Sequence, residues 1–143
     1  MNTNTLTIKS KTENLSLVRD FISEAARKSG FDEEAINKIS LAVDEACTNI
    51  IKHAYEFVST GDIEISVTTT SDAFEVIIAD NGKSFKSDSI KVPDMREYLS
   101  HFRRGGLGMH LMRTLMDKIV YTSSKRHHNE VHLIKHLLVN IKQ

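Results

Sequence analysis

Three polar clusters carry side chains whose types and spacing could do chemistry. Glu45 and Asn49 are four residues apart, so on a helix they stack one turn above each other. A carboxylate and an amide held this way can bind a cation, or keep a proton acceptor beside one. The Asn49 amide oxygen suits Mg²⁺, which prefers oxygen donors and retains several waters. Glu45 could take a proton from an attacking hydroxyl or water. For this pair taken alone, a solvated polar face is the plainer reading. The second cluster, Asp80-Asn81-Gly82, follows an apolar run. A buried carboxylate at a strand end can accept from an amino group such as adenine N6, and Gly82 lets a flat ring approach the backbone. Asp, Asn and Gly are equally turn formers, although Lys83–Ser89 does not pair back as a tight hairpin. The third cluster, Arg103-Arg104-Gly105-Gly106-Leu107-Gly108, leads into a helical pattern. Exposed backbone N–H groups at a helix start suit phosphate; a loop hinge is the bland alternative. It is neither a P-loop nor a dinucleotide fingerprint, since no Gly-Lys-Ser/Thr follows and no strand comes just before it. Together the clusters supply a metal ligand, a base-reading carboxylate and a phosphate cradle, in an order that suits one ATP.

These residues need elements to position them. From the Asp32 N-cap through Leu41 to about Tyr55 the chain reads as one helix, with Ile36, Ile39, Val43, Ala46, Cys47, Ile50 and Ala54 on one apolar stripe. Glu45 and Asn49 fall well away from that stripe. Asp32 is the expected N-cap, with Glu33 and Glu34 in the first turn. An earlier helix is expected over Asn14 to Lys28, stopped by Gly30, and Leu6-Thr7-Ile8 is a short strand candidate. Ile63, Ile65 and Val67, then Phe74, Val76 and Ile78, alternate with the period of half-buried strands and predict a hairpin. Lys83 to Arg104 holds the sole proline, Pro93, without a core-forming period, and is read as a mobile lid. Leu111, Met112, Leu115, Met116 and Ile119 predict a third helix. Ile119–Thr122 and Val131–Val139 predict a closing strand pair. The expected fold is an α+β two-layer sandwich: a mixed, mostly antiparallel sheet with helices on one face, in a single domain over 1–143.

Bulk composition narrows the function classes. Lys+Arg and Asp+Glu are balanced at 19 each, which argues against nucleic acid as a direct partner. One cysteine among 143 residues rules out an internal disulfide and fits a reducing compartment. The start shows no signal-peptide pattern, and no apolar run approaches the ~20 residues of a membrane span. A cytoplasmic protein is expected.

Glu45-Ala46-Cys47-Thr48-Asn49 with His53-Ala54-Tyr55 resembles the N box of the GHKL (Bergerat-fold) ATPases. Asp80-Asn81-Gly82 with Phe85 resembles the first glycine box. Arg104-Gly105-Gly106-Leu107-Gly108-Met109-His110-Leu111-Met112, followed by Leu115-Met116-Asp117, resembles the second. The version is most similar to the anti-sigma factor serine kinases of the RsbW and SpoIIAB type. The resemblance implies a protein that binds Mg-ATP, phosphorylates a serine on a small STAS-type antagonist, and otherwise sequesters a sigma factor; it also implies a homodimer. By position, it implies Glu45 as general base and Asn49 as Mg²⁺ ligand. Asp80 and Gly82 would read adenine, Gly105, Gly106 and Gly108 would hold phosphates, and Arg104 would approach the γ-phosphate. Arg19 matches a partner-contact position. Related proteins often carry Gly-Thr entering the last strand, with the Thr near adenine; here that position reads Asn129-Glu130, and no ligand role is assigned to it.

A competing reading is a nucleotide-gated binding module of partner switching without significant kinase activity. A structural protein without nucleotide is the blandest reading. His127, His128, His132 and His136 invite zinc, but no Cys or carboxylate framework completes a site. Cys47 reads as a packed thiol, and Met109, Met112 and Met116 as core.

Overall fold

A computed structural model describes residues 2–83, 115–124 and 128–137. Its elements are β1 (Asn2–Lys9), α1 (Leu15–Lys28), α2 (Glu33–Asn49), β2 (Asp62–Thr69), β3 (Ala73–Asp80), β4 (Lys118–Ser123) and β5 (Asn129–His136). Arg104, Gly105, Gly106 and Gly108 lie outside the described residues, as do Phe85, Pro93, His127 and most of the expected lid.

The strands form one sheet in the order β1-β2-β3-β5-β4. All four pairings are antiparallel, so the parallel component expected of a mixed sheet is not found among the described residues. Alternation decides what each face does. Ile63, Ile65, Val67, Phe74, Val76, Ile78, Val131 and Leu133 share one face and are buried beneath the helices. Burying such a side chain is worth roughly 1.5–3 kcal/mol relative to exposure. The opposite face carries Glu64, Glu75, Glu130 and His132 among its residues.

The helices start and stop where local chemistry dictates. In α1, Leu15, Val18, Ile22 and Ala26 recur at helical spacing and are buried, while Arg27 and Lys28 occupy its last turn. Gly30 then adopts φ +98°, a left-handed conformation that glycine reaches without Cβ strain. Asp32 caps α2: its carboxylate accepts from the Ala35 N–H at 2.9 Å. Phe31, between the helices, meets Phe74 edge-to-face at 5.5 Å and 81°.

Several boundaries differ from the sequence reading. β5 opens at Asn129, not at Val131, and ends at His136. The first strand is eight residues long, not three. Its outward residues are hydroxylic and pair across to β2, Thr3 with Thr68 at 3.1 Å and Thr5 with Ser66 at 3.2 Å, so little apolar signal marks it. Ile119 belongs to β4, which begins at Lys118, and the expected helix from Leu111 lies mostly outside the described residues. The long helix does extend to the expected region, but Ile50–Ala54 is a π turn. That wider turn keeps Ile50, Ile51 and Ala54 all in the core.

Cys47 is fully buried on α2, and burial, with Asp44 nearby, holds its thiol far above the ordinary range. A thiol reagent added to the native protein should therefore leave Cys47 unmodified, and react with one equivalent after denaturation. Asp32→Ala should lower folding stability by about 1 kcal/mol in a urea titration through loss of the cap.

Candidate functional site

The candidate site begins on α2. Glu45 is 8% exposed and Asn49 2%. The solvated polar face that this pair suggested when taken alone is thus overturned. Ala42, Val43, Glu45, Ala46, Cys47 and Asn49 are all buried, so α2 is covered well beyond its apolar stripe. A carboxylate and an amide removed from water must be hydrogen-bonded to be tolerated. Among the described residues no buried side-chain nitrogen or oxygen lacks a partner. The donor set fits a hard cation: one amide oxygen and one carboxylate, a turn apart on a rigid helix.

The second part is the turn that ends β3. Asp80 is buried, and its Oδ1 accepts from the Gly82 N–H at 2.9 Å and from the Asn129 Nδ2 at 3.0 Å. Burial raises its pKa above the usual carboxylate range. The Asn129 amide, the Gly82 N–H and nearby His128 act against that rise. Gly82 sits against the end of the long helix. A Cβ built on it would lie 2.6 Å from the Ala54 carbonyl oxygen, closer than atoms can approach. The Ala54 oxygen also accepts from the Lys83 N–H at 2.8 Å. Tyr55 completes the fastening: its hydroxyl accepts from the Asn81 N–H at 2.9 Å and donates to the Asp62 carbonyl at 2.7 Å. The π turn therefore ties the Asn49 end of α2 to the Asp80 turn, and both parts share one end of the sheet.

Asn129 is the residue the sequence reading left without a role. It opens β5 directly opposite Asp80. Its position follows from register: once Val131 is paired with Ile78 and Leu133 with Val76, Asn129 must face Asp80. The apolar alternation of the two strands held that signal, although their separation in sequence hid the pairing. Arg19 lies on α1 in a partly exposed ion pair with Asp44 at 2.8 Å.

Two of the histidines in and beside β5, His128 and His132, share Glu130 as a partner, and His136 does not join them. His132 bridges two carboxylates, Nδ1 to Glu75 at 2.7 Å and Nε2 to Glu130 at 2.9 Å. His128 contacts Glu130 at 3.0 Å and Asn81 at 3.3 Å. His136 is exposed, and its backbone N–H donates to Asp117. Desolvation lowers the His132 pKa, but Glu75 and Glu130 outweigh it and the net value is raised. Hydrogen bonds from His128 and His132 lower that of Glu130. A raised histidine value stabilises the fold below its unfolded value, and the effect is lost as pH rises through the folded one. A lowered carboxylate value acts above the unfolded range and is lost on acidification. The stability difference between wild type and His132→Gln should thus be greatest between about pH 5 and 6.5, and its pH-dependent part should be lost in alkali. Urea titrations across that range measure it.

Known proteins are similar to this chain. Residues 8–135 match the family described as "Histidine kinase-like ATPase domain". The serine-protein kinase RsbW of Listeria monocytogenes is 39% identical over 119 residues, covering 80% of this chain and 76% of that protein. RsbW of Bacillus velezensis is 35% identical over 122 residues, covering 82% and 76%. The RsbU and RsbW domains of Rv1364c from Mycobacterium tuberculosis share the fold, with a TM-score of 0.66 at 16% identity. That match takes in 94% of this chain and 32% of the longer one. A family match spanning most of the chain, with relatives above 30% identity, shows that this chain belongs to the histidine kinase-like ATPase domain family, alongside the RsbW serine-protein kinases.

Proposed function

We propose that this chain is an ATP-dependent protein serine kinase that phosphorylates an anti-sigma factor antagonist and, in the alternative state, sequesters a sigma factor. The observation that carries the reading is the similarity to RsbW proteins over about four-fifths of the chain. The buried polar wall of α2 and the Asp80 turn supply the chemistry it needs. Cytoplasmic action, a STAS-type antagonist and a homodimer are parts of the same reading. No described helix is long and apolar enough to cross a membrane.

In this mechanism Asp80 accepts a hydrogen bond from the adenine amino group, and Gly82 leaves room for the ring. The Asn49 amide oxygen would ligate Mg²⁺, which when bound neutralises phosphate charge. Glu45 accepts the proton of the substrate serine hydroxyl as its oxygen attacks the γ-phosphorus, and the bond from that phosphorus to the β,γ-bridging oxygen breaks to release ADP. Arg104, Gly105, Gly106 and Gly108 are proposed to hold the phosphates. Transfer of this kind rests on positioning and charge neutralisation more than on covalent chemistry with the protein.

Incubation with Mg-ATP and the cognate antagonist should label one serine of the antagonist; nucleotide binding without any labelling would defeat the kinase reading. Glu45→Ala should cut transfer by roughly 10²–10⁴-fold while leaving ATP affinity nearly unchanged. Asn49→Ala should weaken both, through the metal. Calorimetry of ATP binding beside a transfer assay separates these outcomes, and equal loss of ATP binding in the two variants would contradict the roles.

A further inference from the structure

We infer that Asn129 is a specificity-determining positioning residue: its side-chain amide fixes the Asp80 carboxylate as an acceptor for the exocyclic amine of a purine base. The inference rests on the ATP reading above and deepens it at the nucleobase.

The geometry is a directed hydrogen-bond chain across three strands. The Ser123 hydroxyl on β4 donates to the Asn129 Oδ1 on β5. Two pure acceptors on the β3 side settle which way the amide points, since oxygen and nitrogen are otherwise interchangeable and a hydroxyl could pair with either. Oδ1 is therefore left toward Ser123, and Nδ2 faces β3. It carries two hydrogens, and two acceptors meet it at 3.0 Å: Asp80 Oδ1 and the Gly82 carbonyl. Both donors are thereby used inside the protein, so Asn129 acts on a base through Asp80. The Gly82 N–H donates to the same Asp80 oxygen at 2.9 Å. Two donors on Oδ1 fix the plane of the carboxylate and direct Oδ2 to a ligand donor.

The electrostatics point the same way. Burial favours the neutral acid at Asp80, and a protonated acid would be ambiguous as an acceptor. Donation from Asn129 is the foremost influence opposing that protonation. The Gly82 carbonyl contact adds a second effect: the amide that orients Asp80 also holds the turn on which the base would rest. A purely structural clasp would stabilise the strand end without reading the base.

The test compares two probes, ATP and purine riboside triphosphate, which lacks the exocyclic amine. Wild-type protein should bind ATP about tenfold or more tightly, as expected for a hydrogen bond to a charged acceptor. Asn129→Ala should bring that ratio close to one. Asn129→Asp, which sets a second carboxylate against Asp80, should weaken ATP binding further still. Ser123→Ala removes the exposed hydroxyl that anchors Oδ1 and so holds the amide less firmly, which should lower the ratio partway. If Asn129→Ala keeps the full wild-type ratio while weakening both probes equally, the residue is a clasp and the inference fails. Should Asn129→Ala not fold, an unchanged ratio in Ser123→Ala overturns it. A wild-type ratio of one would remove the base-reading role of Asp80 and overturn the inference, while no binding of either probe would bring down the ATP reading itself.

Discussion

Gly82 lies so close to Ala54 that no side chain fits between them. This steric constraint couples the two halves of the candidate site. One half sits on a helix, the other on a turn after a strand, and the chain between them runs through an entire hairpin. Contact at Ala54, hydrogen bonds from Lys83 and the Tyr55 clasp over Asn81 bring the helix end and the strand end into register. Glycine is required at position 82 for the approach itself, independent of any preference for a turn.

Around that contact the molecule places polar groups where water is scarce. Glu45, Asn49 and Asp80 are buried at the edge of an otherwise apolar core. Leaving such groups unsatisfied would cost on the order of 1–3 kcal/mol each. Such groups are tolerated only where they are hydrogen-bonded, and here they lie on α2 and on the turn after β3, the two parts that meet at Gly82. Cys47, two residues from each of Glu45 and Asn49 and so on the other side of α2, shows the contrast: it is a thiol packed in the core.

Much of this was legible from the residues. The N-cap at Asp32, the stop at Gly30, the alternating runs of β2 and β3 and the apolar stripe of α2 each report a local rule, and each element is present. Burial of Glu45 and Asn49 was not legible, because a helical wheel shows which side a residue occupies and not what covers that side. β1 was underestimated because its outward face is held by threonines. The π turn leaves no mark in the apolar pattern. The role of Asn129 depends on which residue of a distant strand lies opposite Asp80, and pairing across 49 positions of sequence is set by the whole sheet. The glycines from Gly105 to Gly108 lie outside the described residues, and their assignment rests on the family resemblance.

The π turn at Ile50–Ala54 has a consequence for comparing this chain with its relatives. A π turn is what an α-helix becomes when it accommodates one additional residue. It rotates everything after it by about 100° relative to an uninterrupted helix. Upstream, Glu45 and Asn49 keep the phase of α2; downstream, Ala54 and Tyr55 are set by the extra residue. A homologue with a plain α-helix here would be one position shorter. Aligning the two without a gap would equate residues that face different directions, and the natural place for that gap is between Asn49 and Tyr55.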